Sequence, residues 1–235
     1  MLKVELHAHT SDDPVDRIPY SSHELIDRAA ALGYDALAIT LHERQADVRP
    51  LAQHAGERGI VLIPGIERTI DGRHVLLLNF SRAAEDVCSF EDLARLRRRE
   101  GGLVVAPHPY FPAAHSLFGR LTRHADLFDA VEINAMYTAS LDFNAPARRW
   151  ARAHGKPMVG NGDVHRFAQL GPTYSLVDAE ADPEAICHAI RAGRVRVKSR
   201  PLSWPVAMRV MAGLAADSFG LTPRRVPALG RSVAG

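Results

Sequence analysis

Short runs rich in aliphatic and β-branched residues alternate along the chain with amphipathic runs of helical periodicity. Such alternation is typical of strands joined by helices in a parallel sheet, and seven strands favour closure of that sheet into a barrel. The predicted strands are Lys3–His7, Ala36–Thr40, Val61–Gly65, His74–Phe80, Leu103–Ala106, Ala130–Asn134 and Pro157–Gly160. The predicted helices are Ser22–Leu32, Val48–Arg58, Phe90–Glu100, Phe118–Ala125 and Ser140–His154. The first helix has only a partial capping signal, Ser22 with Leu25 three residues later.

The pattern repeats once more after Asp163, with a strand at Tyr174–Val177, a helix at Pro183–Ala192 and a strand at Val195–Lys198. No internal repeat, low-complexity segment or linker interrupts this stretch. We therefore predict one α/β barrel domain over residues 1–200.

The segment 201–235 has a different character. The run from Trp204 to Phe219 predicts an amphipathic helix, and we expect a helical tail packed on the barrel. A helix lying on a membrane surface is the less favoured alternative, because its polar face is not rich in Lys or Arg. Four prolines interrupt the segment: Pro201, Pro205, Pro223 and Pro227.

Composition narrows the class of protein. The chain has 235 residues, of which 46% are hydrophobic and 24% charged, which suits a globular domain and excludes a disordered or fibrous chain. The net charge of +2 comes without a dense basic stripe, so stable binding of duplex nucleic acid is not expected.

Several sequence features bear on cellular location. Cys88 and Cys187 cannot form a disulfide framework or a thiolate zinc site, which favours the reducing cytosol. We find no signal peptide at the N-terminus and no apolar run long enough to span a membrane. We therefore expect a cytoplasmic protein without a membrane partner.

The twelve histidines are the unusual feature of the composition, and four side chains flank the first and last predicted barrel strands. His7 and His9 form an H-x-H pair at the end of the first strand, where alternate side chains point the same way. Asp163 and His165 form a second such pair after the last barrel strand. Both pairs are therefore predicted to face one point.

Further ligand-type side chains follow other strands. His42, Glu67 and His108 lie just beyond strand ends, and His74 opens the fourth strand. Barrel enzymes place their active sites at the carboxyl ends of the strands. This many imidazoles and carboxylates exceed the needs of one ion and suit two or three ions of zinc, manganese or iron. Such a cluster lowers the pKa of a bound water and supplies a nucleophile.

These segments, taken together and in order, resemble the PHP (polymerase and histidinol phosphatase) family over about residues 1–200. The resemblance implies a distorted seven-stranded β/α barrel with two or three metal ions and phosphoesterase activity. Members include histidinol-phosphate phosphatases, nucleotide phosphatases, exonuclease modules and phosphotyrosine phosphatases. The motifs are Leu6-His7-Ala8-His9-Thr10-Ser11-Asp12-Asp13-Pro14, Ala38-Ile39-Thr40-Leu41-His42, Pro64-Gly65-Ile66-Glu67, Ala106-Pro107-His108-Pro109 and Asn161-Gly162-Asp163-Val164-His165.

The resemblance also implies a ligand set. Asp13 or Asp12 must supply the carboxylate after H-x-H, and we prefer Asp13. Leu41 stands where many members carry Asp, which leaves the orientation of His42 without its usual partner. His7, His9 and Asp163 would act through a metal-bridging hydroxide. The implied ligands are His7, His9, Glu67 and Asp163 for one ion, Glu67, His74 and His108 for a second, and Asp13, His42 and His165 for a third.

Other polar residues near these positions have alternative roles. Glu132 and Asn134 would orient His108 or a metal-bound water, or else make a hydrogen bond in the barrel core. His115, in the loop after the fifth strand, could reach the site, although a structural role is favoured. One or two members of an arginine set are expected to bind substrate phosphate, the rest being solvated loop charges. The set is Arg17, Arg44, Arg68 and Arg166.

Three functions remain open at this point. A metal-dependent phosphoesterase would act on a small phosphate ester or a short oligonucleotide. An amidohydrolase-type enzyme that cleaves C–N bonds is disfavoured, because that class often uses a carboxylated lysine and no lysine lies between Lys3 and Lys156. A non-catalytic metal-bound regulatory module would be expected to have lost ligands, and only Leu41 hints at such loss.

Overall fold

The computed structural model describes residues 1–221 and shows an α/β fold built on one nine-stranded, nearly closed barrel-shaped sheet. All seven predicted barrel strands form, and the two later ones join the same sheet. The strands are β1 (Leu2–Glu5), β2 (Ala36–His42), β3 (Val61–Ile70), β4 (Arg73–Leu78), β5 (Leu103–Ala106), β6 (Ala130–Asn134), β7 (Met158–Asn161), β8 (Thr173–Val177) and β9 (Val195–Ser199). The helices are α1 (Ser22–Ala31), α2 (Ala52–Gly56), α3 (Phe90–Arg99), α4 (Gly119–Arg123), α5 (Asn144–Ala153), α6 (Pro183–Arg191) and α7 (Trp204–Ser218).

The sheet differs from the expected seven-stranded parallel barrel in strand number and direction. Its order is β7-β6-β5-β4-β3-β2-β1-β8-β9, and β4 and β8 run antiparallel to their neighbours. Asp71 and Gly72 alone connect β3 to β4, with φ of +48° and +73°. A two-residue turn with positive φ at both positions makes a hairpin, so no helical crossover separates these strands.

The second, fourth and fifth predicted helices are several residues shorter than expected. A 3₁₀ turn at Arg49–Leu51 precedes α2, where a helix over Val48–Arg58 was predicted. Helix α1 begins at Ser22 as predicted, but its capping residue is Ser21. The Glu24 backbone N–H donates to Ser21 Oγ over 3.3 Å, and the Ser21 N–H donates to Glu24 Oε2 over 2.7 Å. This reciprocal pair is a capping box, one residue earlier than the sequence signal we used.

Apolar side chains fill one end of the barrel. Ile186 and Ile190 of α6 pack in a buried cluster with residues from β1 to β8, including Ala36 at the start of β2. Helix α6 therefore covers the end of the barrel where β2 begins, and His42 lies at the other end of the same strand. The open end is left for polar side chains.

The predicted tail helix forms as α7, with Ala207 and Val210 buried. Residues 222–235, including Pro223 and Pro227, lie outside the described residues. Over residues 1–221, no helix has both the length and the apolarity needed to cross a bilayer.

The barrel closes where β7 meets β8 and β9. The Gly160 N–H donates to Ser175 Oγ over 2.9 Å, and the same hydroxyl donates to the Gly160 carbonyl over 3.1 Å. A Cβ at Gly160 would lie 2.7 Å from the Tyr174 backbone oxygen and 2.8 Å from Val197 Cγ1. Only glycine therefore permits this approach.

Gly160→Ala is expected to lower the free energy of unfolding by about 1–3 kcal/mol, because the added methyl group must push two strands apart. Urea denaturation followed by circular dichroism measures the change. Gly119→Ala is the matched control, since a Cβ there meets nothing within 4 Å. Equal stability of the Gly160 variant and the wild type would contradict this account of closure.

Candidate metal centre

Glu67, at the carboxyl-terminal part of β3, is the centre of the site. Its side chain is 1% exposed, and both of its oxygens are surrounded by imidazole nitrogens. The H-x-H pair and the ends of neighbouring strands therefore meet at one carboxylate, as the strand-end pattern predicts. The five nitrogens are His7 Nε2 at 3.2 Å, His9 Nε2 at 3.3 Å and His42 Nε2 at 3.1 Å from Oε2, with His74 Nδ1 at 2.8 Å and His108 Nε2 at 3.2 Å from Oε1.

The H-x-H pair also faces Asp163. Its Oδ1 lies 3.2 Å from His7 Nε2 and 3.6 Å from His9 Nε2. The other ring nitrogens turn away from this point, because His7 Nδ1 lies 2.8 Å from Glu132 Oε2 and His9 Nδ1 lies 3.0 Å from Asp13 Oδ2. Each ring thus has one nitrogen held by an outer carboxylate and one aimed at the centre, which is how proteins orient ligating histidines.

Asp13 and Asp12 have different surroundings. Asp13 Oδ2 lies 3.0 Å from the Nδ1 atoms of both His9 and His42, and it also accepts the His42 backbone N–H over 2.9 Å. Asp12 instead accepts from Ser22 Oγ over 2.9 Å. Leu41 is buried in the apolar cluster beside α1, so Asp13 provides the partner of His42.

Asp16, which we did not single out from the sequence, lies beside His165 and His42. Its Oδ2 is 2.9 Å from His165 Nε2 and 3.8 Å from His42 Nδ1. It lines the cavity of about 180 Å³ above Glu67 together with His115. The ring of His115 stacks on that of His74 with centroids 4.5 Å apart. No periodic signal marks Asp16, because it follows Pro14 in an irregular loop.

The donor set fits metal ions. Two buried nitrogens, His9 Nε2 and His108 Nδ1, lack a hydrogen-bond partner within residues 1–221. Clusters of imidazole and carboxylate donors of this kind suit divalent cations. In the described part of the chain, five groups have donor atoms within 4.8 Å of one another: His7–His108–Asp163, His7–His9–Glu67, His9–Asp13–His42, His9–Asp163–His165 and His42–Glu67–His74.

Charge compensation shifts the titration of these groups. Burial alone would lower the pKa of His7, but Asp163 and Glu67 outweigh it and raise the pKa of His7 well above its usual value. Burial alone would raise the pKa of Glu67, yet the imidazoles, His74 foremost, hold the pKa of Glu67 well below its usual range. The carboxylates are therefore ready to bind cations at neutral pH.

Two site residues have strained backbones. His108 has φ of +27° and Asp163 has φ of +49°, in the region that side chains disfavour. Each lies two residues after a strand end, His108 after β5 and Asp163 after β7. Strain of this kind persists where surrounding contacts enforce it, and it is often found at functional sites.

A second layer of buried polar residues supports the histidines. Glu132 Oε1 accepts the His108 backbone N–H over 3.1 Å, and Asn134 Nδ2 donates to Glu132 Oε1 over 2.8 Å. Glu5, which we missed, accepts the backbone N–H groups of His7 and Gly162 over 3.0 Å. Burial raises the pKa of Glu5 to about 8. Glu5 is two residues before His7, so the alternation that revealed H-x-H could have identified it.

Comparison with known proteins assigns the fold. A family model described as PHP-associated (PHP_C) matches residues 142–195. A two-domain protein from Bacteroides vulgatus, described as containing a predicted PHP-like metal-dependent phosphoesterase, has a TM-score of 0.67 and 19% identity, over 91% of this chain and 69% of that chain.

These comparisons support the resemblance to the PHP family that the motifs indicate.

Other solved structures share the fold. The lesion-specific endonuclease PfuEndoQ from Pyrococcus furiosus has a TM-score of 0.58 and 14% identity, over 83% of this chain and 57% of its own. An amidohydrolase from Chromobacterium violaceum, with bound sulfate and no metal, has a TM-score of 0.57 and 16% identity, over 88% of this chain and 96% of that chain. No curated protein matches the chain. At these identities the likeness establishes the fold alone.

None of the four arginines considered for substrate binding lines the cavity above Glu67. Arg44 donates to the Asp12 carbonyl, and Arg68 pairs with Glu43. Arg17 Nη1 donates to the Gly220 carbonyl over 2.7 Å. The fourth, Arg166, also contacts the C-terminal segment.

Helix α7 is bonded, through Arg166, to the part of the site that contains His165. Arg166 Nη1 donates to the His165 carbonyl over 2.9 Å, and its Nη2 donates to Asp217 Oδ2 over 2.5 Å and to the Gly213 carbonyl over 3.2 Å. Asp217 is 6% exposed at its side chain, so this ion pair is largely shielded from water. The pair therefore couples α7 to the backbone of a candidate ligand.

A double-mutant cycle with Arg166→Met and Asp217→Asn is expected to give a coupling free energy of roughly 0.5–3 kcal/mol, because the two side chains contact directly away from bulk water. Urea unfolding of the wild type, both single variants and the double variant measures it. The exposed pair Arg49–Asp47 is a control, for which a much smaller coupling is expected because water screens both charges. Additive effects at Arg166 and Asp217 would contradict the bracing role.

Proposed function

We propose that this protein is a metal-dependent phosphoesterase whose ions are held around Glu67. The observation that supports it is the convergence of five imidazole nitrogens within 3.3 Å of the two Glu67 oxygens, in a cavity at the open end of the barrel. Nitrogen and oxygen donors in this number suit two or three ions of zinc, manganese or iron. When bound, such ions would stabilise charge on phosphoryl oxygens and acidify a water for attack on phosphorus.

The donor groups divide into three sets. His7, His9, Glu67 and Asp163 would hold one ion, and Glu67 with His74 and His108 would hold a second. Glu67 is thus the carboxylate that the two ions share. It is suited to this because its two oxygens face different histidines. His42 and His165 would contribute to a third set.

We assign the carboxylate of the third set to Asp16 and an orienting role to Asp13. Asp13 Oδ1 accepts two backbone N–H groups, those of Val15 and Asp16, at 2.9 Å, and Asp13 Oδ2 holds two imidazoles. A carboxylate so fully engaged is suited to fixing the rings of His9 and His42. Asp16 faces the cavity and has an exposed fraction of 37% at its side chain, so it is free to approach an ion.

The cavity favours a substrate with a small reacting end. Its volume of about 180 Å³ accommodates a phosphoryl group but not a large ligand as a whole. We therefore propose a small phosphate monoester or the end of a short oligonucleotide as substrate. Phe111 and His115, on the loop after β5, border the cavity and would contact the part of the substrate that leaves it.

Asp163→Asn and His9→Ala are expected to reduce hydrolysis of p-nitrophenyl phosphate at least about 1,000-fold, because each removes a ligand of the first ion. His188→Ala, on the exposed side of α6, is the matched control and should keep the wild-type rate. Chelation should abolish the rate, and divalent metal should restore it.

Activity retained after complete metal removal would overturn the proposal. Hydrolysis of an amide panel in preference to phosphate esters would instead favour the amidohydrolase-type alternative.

Asp16→Asn is expected to lower the metal content by about one ion per chain, because the third set loses its only charged donor. Asp13→Asn should keep the sites but weaken metal affinity by about 10–100-fold through loosened imidazoles. Elemental analysis and competition with a chromogenic chelator measure both quantities. Asp12→Asn, whose carboxylate bonds Ser22, is the control with unchanged content. A full complement in Asp16→Asn would refute the assignment.

A further inference from the structure

A second, larger cavity lies on the flank of the barrel, between the end of α1, the turn after His165 and strand β9. Its volume is about 640 Å³, and it shares no lining residue with the cavity above Glu67. Four cationic side chains line it: Lys3, Arg28, Lys198 and Arg200. We call it the flank groove.

The positive charge of the flank groove is only partly compensated by protein carboxylates. No acidic side chain lines it, and over residues 1–221 none of its four cations forms an ion pair. Asp35 accepts the Lys3 backbone N–H and attracts the Lys3 ammonium group from a distance, but Arg28, Lys198 and Arg200 have no such neighbour among the lining residues. By contrast, the cavity beside α3 combines arginines with Asp86 and Asp92. Like charges assembled without counter-charges repel one another, and a bound anion relieves that repulsion.

Lys3 is held in a fixed position at one end of the groove. Its Nζ donates to the Leu32 carbonyl over 2.6 Å and lies 4.3 Å and 4.5 Å above the ring centroids of Tyr34 and Tyr174. An ammonium group has three N–H donors, so two remain for a ligand. The cation is therefore ordered before any anion arrives, which lowers the entropic cost of binding.

The wall of the flank groove is aromatic as well as basic. Half-buried Phe167 and Tyr174 both line it, together with the hydroxyl-bearing Ser199. Cations beside aromatic rings are the combination that binds nucleotides, since the cations contact phosphate and the rings contact the base. The volume falls in the range of small-ligand sites.

We propose that the flank groove binds a nucleotide, either free or as a unit of a single strand, through its phosphate. The flank groove is separate from the Glu67 centre, and binding there does not depend on the reaction proposed for that centre. It adds a binding site to a chain whose overall charge of +2 gives no hint of one.

The test is a charge-removal variant, Arg28→Gln/Lys198→Gln/Arg200→Gln, in the full chain with its metals. Lys3 is left in place because it also contacts the core. Fluorescence anisotropy with labelled adenosine monophosphate and with a labelled 12-nucleotide single strand gives the Kd at several salt concentrations. We expect the Kd of at least one probe to rise about 10-fold or more. The strand's salt slope should fall by about two.

The matched control is Arg98→Gln/Arg99→Gln/Arg123→Gln, which removes the same charge from exposed positions on α3 and α4. It should bind both probes within about twofold of the wild type. Since the metal ligands are intact in both variants, a loss confined to the first one belongs to the flank groove. Weaker binding of the mononucleotide identifies a free nucleotide as the ligand. Weaker binding of the single strand alone identifies a unit of a polymer as the ligand.

Equal binding by all three proteins, or equal loss in both variants, would overturn the proposal. So would selective binding of a labelled hexa-aspartate peptide, which would identify an acidic peptide as the ligand. Circular dichroism and thermal unfolding confirm that each variant is folded.

Discussion

The structure depends on one buried carboxylate, Glu67, and on the need to compensate it. A carboxylate that is 1% exposed is costly to bury unless cations or donors surround it. Here the compensation comes from imidazoles that lie at different strand ends, so the register of several strands must be right at once. A slip of one residue between β2 and β3, which now pair His42 with Glu67, would turn one of the two away from the centre. The chemistry and the sheet register therefore constrain each other.

Much of this arrangement is readable from the sequence, because it follows simple periodicities. Alternation along a strand predicts that His7 and His9 share a direction, and strand ends in a barrel predict that His42 and Glu67 approach them. Asp16 escapes such reasoning, since its position depends on an irregular loop. The antiparallel β4 was missed for a different reason: Asp71-Gly72 is a strong hairpin signal, which we did not use.

The arginines show a limit of another kind. A guanidinium group carries five donors and suits phosphate, but it equally suits carboxylates and backbone carbonyls. Arg166 contacts Asp217, 51 residues away, and Arg17 contacts Gly220, 203 residues away. No local pattern contains those partners. Proximity to a ligand in sequence therefore identifies a residue near the site without indicating whether its side chain faces the site or the rest of the fold.

This use of arginine has a consequence for how the site is completed. Arg17 follows Asp16, and Arg166 follows His165, so both contacts with the end of α7 lie one residue from the Asp16–His165 pair. The two ligand sets that share Glu67 need only the barrel strands. The Asp16–His165 pair also depends on α7, the last helix of the described chain. The two parts of the centre should therefore differ in stability, with the Asp16–His165 corner opening first when α7 is loosened.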